Sequence, residues 1–226
     1  MNIFSTLASK PIGQATIEIF DKGGPVMWPL LICSFIAMTV AIERFLYYFR
    51  EHNVSRRSES KTEKAIGLAV RGLFSEAEKC AKENSSLEGR LIYTGLMHRD
   101  MVLHEALESC AFAELDKFRR GLVILDTIIT LAPMLGILGT VTGIITSFDL
   151  LSSSNIHNPT TVTRGIAEAL ITTAAGLIVA MFALVPFNAF MSHIRRVTRR
   201  LEQTAHLIEV ACARGSLANN NDRTTK

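Results

Sequence analysis

Three long apolar runs decide what this chain can become. They occupy residues 24–49 ("GPVMWPLLICSFIAMTVAIERFLYYF"), 122–151 ("LVILDTIITLAPMLGILGTVTGIITSFDLL") and 165–191 ("GIAEALITTAAGLIVAMFALVPFNAFM"). Each exceeds the roughly 20 residues that a helix needs to cross about 30 Å of hydrocarbon. The hydrophobic fraction, 48% of 226 residues, would not decide the class by itself; its distribution does. The expectation is an all-α membrane protein with three transmembrane helices.

The expected order is an N-terminal segment (1–23), a first span (24–49), a cytoplasmic helical region (50–121) and a second span (122–149). A short outer loop (150–164), a third span (165–191), a cytoplasmic helix (192–213) and a disordered tail (214–226) complete it. The first segment lacks the basic start, long apolar core and cleavage site of a signal peptide, so the first span is expected to stay. Its Ile12, Ile17, Ile19 and Phe20 suit a short amphipathic helix on the membrane surface.

Lys and Arg set the orientation. Thirteen lie between Arg50 and Arg120, and Arg195, Arg196, Arg199 and Arg200 follow the third span, whereas the 151–164 stretch holds only Arg164. The large loop and the C-terminus are therefore expected in the cytoplasm, with the N-terminus and the short loop outside. The net charge of +3 follows this topology and is no argument for nucleic acid. Cys33, Cys80, Cys110 and Cys212 have no metal-ligand spacing, and the six His are dispersed, so the residues indicate neither a metal nor a cofactor. With no nucleophile, acid–base or P-loop constellation, an enzyme is disfavoured.

The first span enters through the turn "KGGPVMWP", with Trp28 at interfacial depth, and leaves through "ERFLYYFR". There Glu43 and Arg44 are expected at headgroups, and Tyr47 and Tyr48 in an aromatic belt. In the loop, Ser75 to Glu78 and Ser85 to Glu88 carry the capping-box pattern of a helix start. This predicts short helices over about 62–72, 75–84 and 86–98. No proline or glycine occurs between Asp100 and Gly121, which predicts one helix running unbroken from the cytoplasm into the second span. The third span is likewise expected to continue helically to about Ala213. The second and third spans are thus expected to extend as long helices into the cytoplasmic domain.

On a helical wheel, Asp126, Thr130, Pro133, Gly136, Thr140, Gly143 and Ser147 share an arc of roughly 140° of the second span. Gly139 adds to its small residues, and Thr142 and Thr146 form an opposite set. In the third span Gly165, Ala169, Thr172, Thr173, Gly176, Ala180 and Ala183 share about 100°. Small residues at this spacing let membrane helices approach closely, and hydroxyls bond across the contact. The same threonines equally serve as packing glue, each bonding its own helix one turn back.

Depth favours more than glue. Thr140 lies nine residues from Asp149 and Thr173 nine from Arg164, so both sit roughly 14 Å from the outer surface. Glu168, about one turn inside the third span, is costly in hydrocarbon and a functional candidate, unless it snorkels or pairs with Arg164 at i−4. Asp126 is a possible charge at the cytoplasmic side, with Arg119 and Arg120 as candidate partners on the same helix. Between Asp126 and Asp149, and between Glu168 and His193, the polar side chains are only hydroxyls and Asn188. A proton path usually needs a titratable group near its middle, so any carboxylate there must come from elsewhere.

These residues resemble the ExbB, TolQ and MotA family of ion-driven motor subunits. The resemblance lies in "LDTIITLAPMLGILGTVTGIITSF" and "GIAEALITTAAGLIVAMFALVPFNAF", with "GGPVMWPLL" and "AIERF" around the first span. The three-span layout is nearer to ExbB and TolQ than to the flagellar stator subunit. The resemblance implies a homopentamer in the bacterial inner membrane, N-terminus periplasmic, enclosing the transmembrane helices of a dimeric ExbD- or TolR-like single-span partner. That partner's aspartate would supply the missing carboxylate. It implies pore roles for Thr140, Thr173 and Glu168, and matches Pro133 to the family's proline. Thr172 stands where relatives often carry alanine, which leaves open which hydroxyl serves the ion. The implied output is a TonB-like protein driving outer-membrane uptake, or a Tol-type system for envelope integrity. A purely structural scaffold is the competing reading; a solute transporter is disfavoured, since inverted repeats and broken helices are missing.

Overall fold

The computed structural model describes residues 20, 23–99, 102–153 and 159–224, with backbone alone at 52–53, 55–57, 150–153, 159–162, 164 and 217–224. The amphipathic helix expected within 1–23 falls almost wholly outside the described residues, as does the middle of the 150–164 loop. Every regular element among the described residues is an α-helix: α1 (Met27–Val70), α2 (Phe74–Lys82), α3 (Leu87–Met97), α4 (Leu103–Arg119), α5 (Leu122–Ser153) and α6 (Pro159–Thr224). Three stretches are long and apolar enough to cross a membrane: Met27–Glu51, Leu122–Asp149 and the start of Gly165–Ser216. They coincide with the three apolar runs.

The helix ends depart from the sequence pattern in instructive ways. The 44-residue α1 runs through the polar stretch after the first span and absorbs the helix expected over 62–72. Its interior has no proline beyond Pro29 in the first turn, where proline is tolerated, so nothing stops it. Helix α2 begins behind Leu73 without a side-chain cap, so Ser75 does not start it. Helix α3 is capped by Ser86 rather than Ser85, its hydroxyl accepting from Gly89 N at 3.1 Å. The helix expected to run unbroken into the second span is broken. Arg120 is extended (ψ 138°) and Gly121 has φ 77°, a left-handed conformation that glycine adopts without steric cost. At the other end, α6 continues to Thr224, beyond Ala213.

The chain forms two compact units. One comprises residues up to Ile42 and Leu122–Asn188. In it α1 buries Met27, Leu30, Cys33, Ala37 and Val40, three or four residues apart, while Phe35 is 72% exposed and Trp28 62%. One stripe packs on protein and the rest is apolar and open, which suits a helix whose other face meets lipid. Helices α5 and α6 contribute the small buried residues Ala132, Ala169, Ala180 and Ala183.

The other unit comprises Glu43–Gly121 and Ala189–Lys226. Leu91, Ile92, Leu96, Leu107, Phe118, Leu201 and Ile208 are its core. Tyr48, expected in an interfacial belt, is buried instead: its hydroxyl donates to Phe118 O at 2.9 Å, and its ring lies 5.0 Å from Phe190 and 5.1 Å from His193. Charges pair across the helices. Glu114 on α4 accepts from Arg90 on α3 and from Lys117, both at 2.8 Å, while Glu88 pairs with Arg200, and His104 with Glu209 at 2.7 Å.

Candidate functional site

Helices α5 and α6 run against each other with almost no side chain between their backbones. A Cβ on Gly136 would stand 3.1 Å from Thr173 Cα, and one on Gly176 would stand 2.5 Å from Ala132 O. Farther along, Gly143 meets Ala169, and Gly165 meets Ser147. All of these come from the small-residue stripes of the two spans, as close membrane packing requires. Pro133 sits half-buried within α5 and leaves the helix continuous.

This register brings Thr140 and Thr173 together, hydroxyl to hydroxyl. Thr140 Oγ1 also lies 3.2 Å from Gly136 O on its own helix and 3.2 Å from Ala169 O on the other. Thr173 Oγ1 lies 3.0 Å from the same Gly136 O and 3.4 Å from the same Ala169 O. Two hydroxyls thus share two carbonyls, with two donor hydrogens among more acceptor positions than they can fill. The hydrogens can exchange partners without stranding a buried polar group. The oxygens can also accept from water or hydronium, or face a small cation. They cannot store a proton, because neither titrates in the physiological range.

Thr172 is placed differently. It is 1% exposed, with its Cβ, hydroxyl and methyl all packed where Gly139 lacks a side chain and its hydroxyl donating to Glu168 O (3.0 Å) or Ala169 O (2.9 Å) of its own helix. The two adjacent threonines therefore divide into one that fills the helix contact and one that meets Thr140.

Glu168 is half-buried and not beside that pair; it borders a cavity of about 560 Å³ in the same unit. The cavity lies among the turn at Gly23 and Pro25, the α5 face carrying Thr142 and Thr146, and Gly165. The Glu168 carboxylate rests against Gly24, where any Cβ would collide with Oε1. Gly24 has φ 69°, so this position calls for glycine twice, by conformation and by space. The Arg164 side chain, its expected partner, lies outside the described side chains. Asp126 is exposed, and since α4 ends at Arg119 it does not share a helix with Arg119 and Arg120; Arg120 pairs with Asp116 at 3.5 Å. Gly24 carries no sequence signal as the neighbour of Glu168 beyond the Gly-Gly-Pro turn itself. Among the described residues no three His, Cys, Asp or Glu side chains converge to hold a metal.

Comparison with known proteins bears on this arrangement. Residues 83–203 match the family described as the MotA/TolQ/ExbB proton channel family, a stretch that includes both threonines and Glu168. The Synechocystis sp. protein named ExbB-like 1 is 37% identical over 182 residues, covering 78% of this chain and 70% of its own length. ExbB-like 3 of the same organism is 33% identical over 192 residues, 82% of this chain and 90% of its own. The biopolymer transport protein exbB1 of Vibrio cholerae is 26% identical over 207 residues, 85% and 86% of the two chains.

Proposed function

The chain belongs to the MotA/TolQ/ExbB proton channel family, and on that premise we propose that it is the proton-conducting subunit of an inner-membrane motor. Five copies surround the membrane helices of a dimeric ExbD- or TolR-like partner. Protons enter from the periplasm, pass the Thr140 and Thr173 hydroxyls to the partner's aspartate, and leave to the cytoplasm. Neutralising and recharging that aspartate turns the partner within the ring. Each charge crossing 100 mV releases about 2.3 kcal/mol, enough for a modest step, so large work takes several protons. The relatives are named as biopolymer transport proteins of the ExbB kind, and in keeping with that we take the output to be TonB-type outer-membrane transport over a Tol-type one.

The observation that carries this reading is the shared hydroxyl pair. Packing glue requires only that each threonine bond its own helix one turn back. Thr140 and Thr173 reach their own helices too, but they also meet each other and share carbonyls from both helices. Thr172 binds as plain glue does, and in this reading it is structural.

The test is the double substitution Thr140→Val with Thr173→Val, read as proton flux into vesicles carrying the chain and its partner. Assembly with the partner is expected to survive and flux to fall at least tenfold. Undiminished flux would reject conduction through this pair and leave the scaffold reading.

A further inference from the structure

The cavity beside Glu168 joins apolar surface to one carboxylate and three hydroxyls. Gly139, Thr142, Gly143, Thr146 and Ser147 form its α5 wall, a stripe at i, i+3, i+4, i+7 and i+8 that runs about 12 Å along the helix. The glycines supply no side chain, and Thr142, Thr146 and Ser147 bring hydroxyls beside the threonine methyls. Space of about 560 Å³ bordered by a carboxylate and three hydroxyls has both the room and the polar partners that ordered water needs.

Hydrogen-bond direction adds a charge preference. Thr142 donates to Leu138 O at 2.9 Å, Thr146 to Thr142 O at 2.9 Å, and Ser147 to Gly143 O at 2.7 Å. Each hydroxyl thus has its one hydrogen on a carbonyl of its own helix, which leaves its lone pairs for other partners. Among the described residues, the polar side chains of the lining are the Glu168 carboxylate and hydroxyls bonded to their own helix, a set that suits cations better than anions. The cavity reaches from Ser147 and Gly165 down to Gly139, one residue from Thr140.

We propose that this cavity is a water-filled vestibule in each chain that admits small monovalent cations to the depth of Thr140. The inference deepens the conduction reading above and rests on its orientation. The route it adds to each ring subunit lies between that subunit's own helices. Its floor is Gly139, and its selectivity comes from spent hydroxyls and Glu168.

The test is thiol accessibility in membranes containing the chain with its partner, in a background with Cys33, Cys80, Cys110 and Cys212 replaced by serine. Thr142→Cys and Thr146→Cys are treated with cationic and anionic methanethiosulfonates, with rates normalised to a small thiol in water. Both positions are expected to react, the cationic reagent at least tenfold faster, and Glu168→Gln to shrink that preference. Leu138→Cys and Ile145→Cys, exposed apolar positions of the same helix, are expected to stay unreactive. Silence at 142 and 146, equal rates for both reagents, or equal reactivity at 138 and 145 would each overturn the vestibule. Should a cysteine variant fail to assemble, water-to-protein polarisation transfer by solid-state NMR on the unmodified chain reads the same hydration at the Thr142 and Thr146 methyls. Labelling does not need conduction: the Thr140→Val, Thr173→Val chain should label normally while losing flux. The two proposals therefore fail separately.

Discussion

Thr172 and Thr173 are neighbours in sequence with opposite duties, and that contrast sets the sharpest residue-scale prediction. Thr172→Val keeps the shape that fills the gap over Gly139 and loses only a back-bond within its own helix. Stability is expected to change by less than about 0.5 kcal/mol, with proton flux intact. Thr173→Val removes a hydroxyl shared with Thr140 and Gly136 O. Interhelical hydrogen bonds in membranes average about 0.6 kcal/mol, so that variant should also fold, yet lose flux. Unfolding in detergent together with vesicle proton uptake separates the two; equal flux in both variants would mean the hydroxyls only pack. Counting nine residues inward from Asp149 and Arg164 was enough to see that Thr140 and Thr173 share a depth. Choosing between Thr172 and Thr173 was not legible, because a 100° step between adjacent residues decides it and both lie within the small-residue arc.

At the scale of elements, the α5 and α6 contact depends on absent side chains. Gly176→Leu would press its Cβ into Ala132 O at 2.5 Å and Gly136 Cα at 3.1 Å, backbone atoms that yield only if the helices part. A loss of about 1–3 kcal/mol is expected, with weaker assembly. Gly67, inside α1 with nothing within 4 Å, is the counter-case: Gly67→Ala should stabilise by about 0.5–1 kcal/mol through helix propensity alone. Denaturant unfolding of both variants checks the pair of signs. The clamp between α3 and α4 gives a pH dependence. Burial raises the affinity of Glu114 for a proton, but hydrogen bonds and charge from Arg90 and Lys117 outweigh it and hold the carboxyl below its usual 4.5. A depressed folded value means the clamp contributes fully above about pH 4.5 and is lost as pH falls through that lower value. Helix content on acid titration should therefore hold through neutral pH and fall below about 4.5, and Glu114→Gln should remove that step while costing roughly 1–3 kcal/mol at pH 7. The spans were legible because length and hydrophobicity leave an apolar run of that size few alternatives. The break at Arg120 and Gly121 was not, since a lone glycine is tolerated within helices as readily as it ends them. Nor was the cluster of Tyr48, Phe118, Phe190 and His193, which joins residues far apart in sequence.

For the whole molecule, the telling feature is where charge stops. From Pro25 to Ile42, from Thr127 to Phe148 and from Ala169 to Ser192 there is no Asp, Glu, His, Lys or Arg. A proton crossing this depth meets only hydroxyls, the Cys33 thiol and the Asn188 amide, none of which it can rest on, and an excess charge at mid-bilayer costs about 3 kcal/mol even by lenient scales. Hydroxyls can pass a proton or orient water, but a motor step needs a group whose charge changes, since only that gives one conformation a different energy from the next. The chain should therefore be inert by itself. Reconstituted alone into vesicles with 100 mV imposed, it is expected to show proton uptake no greater than empty vesicles. Adding an ExbD- or TolR-like single-span protein that carries an aspartate in its span should bring uptake, and exchanging that aspartate for asparagine should abolish it without dissolving the complex. Each proton then carries about 2.3 kcal/mol, so uptake by the complex should scale with the imposed potential and vanish when it is collapsed. Uptake by the chain alone, at the rate of the complex, would mean that Glu168 or Asp126 does what this reading assigns to the partner's carboxylate.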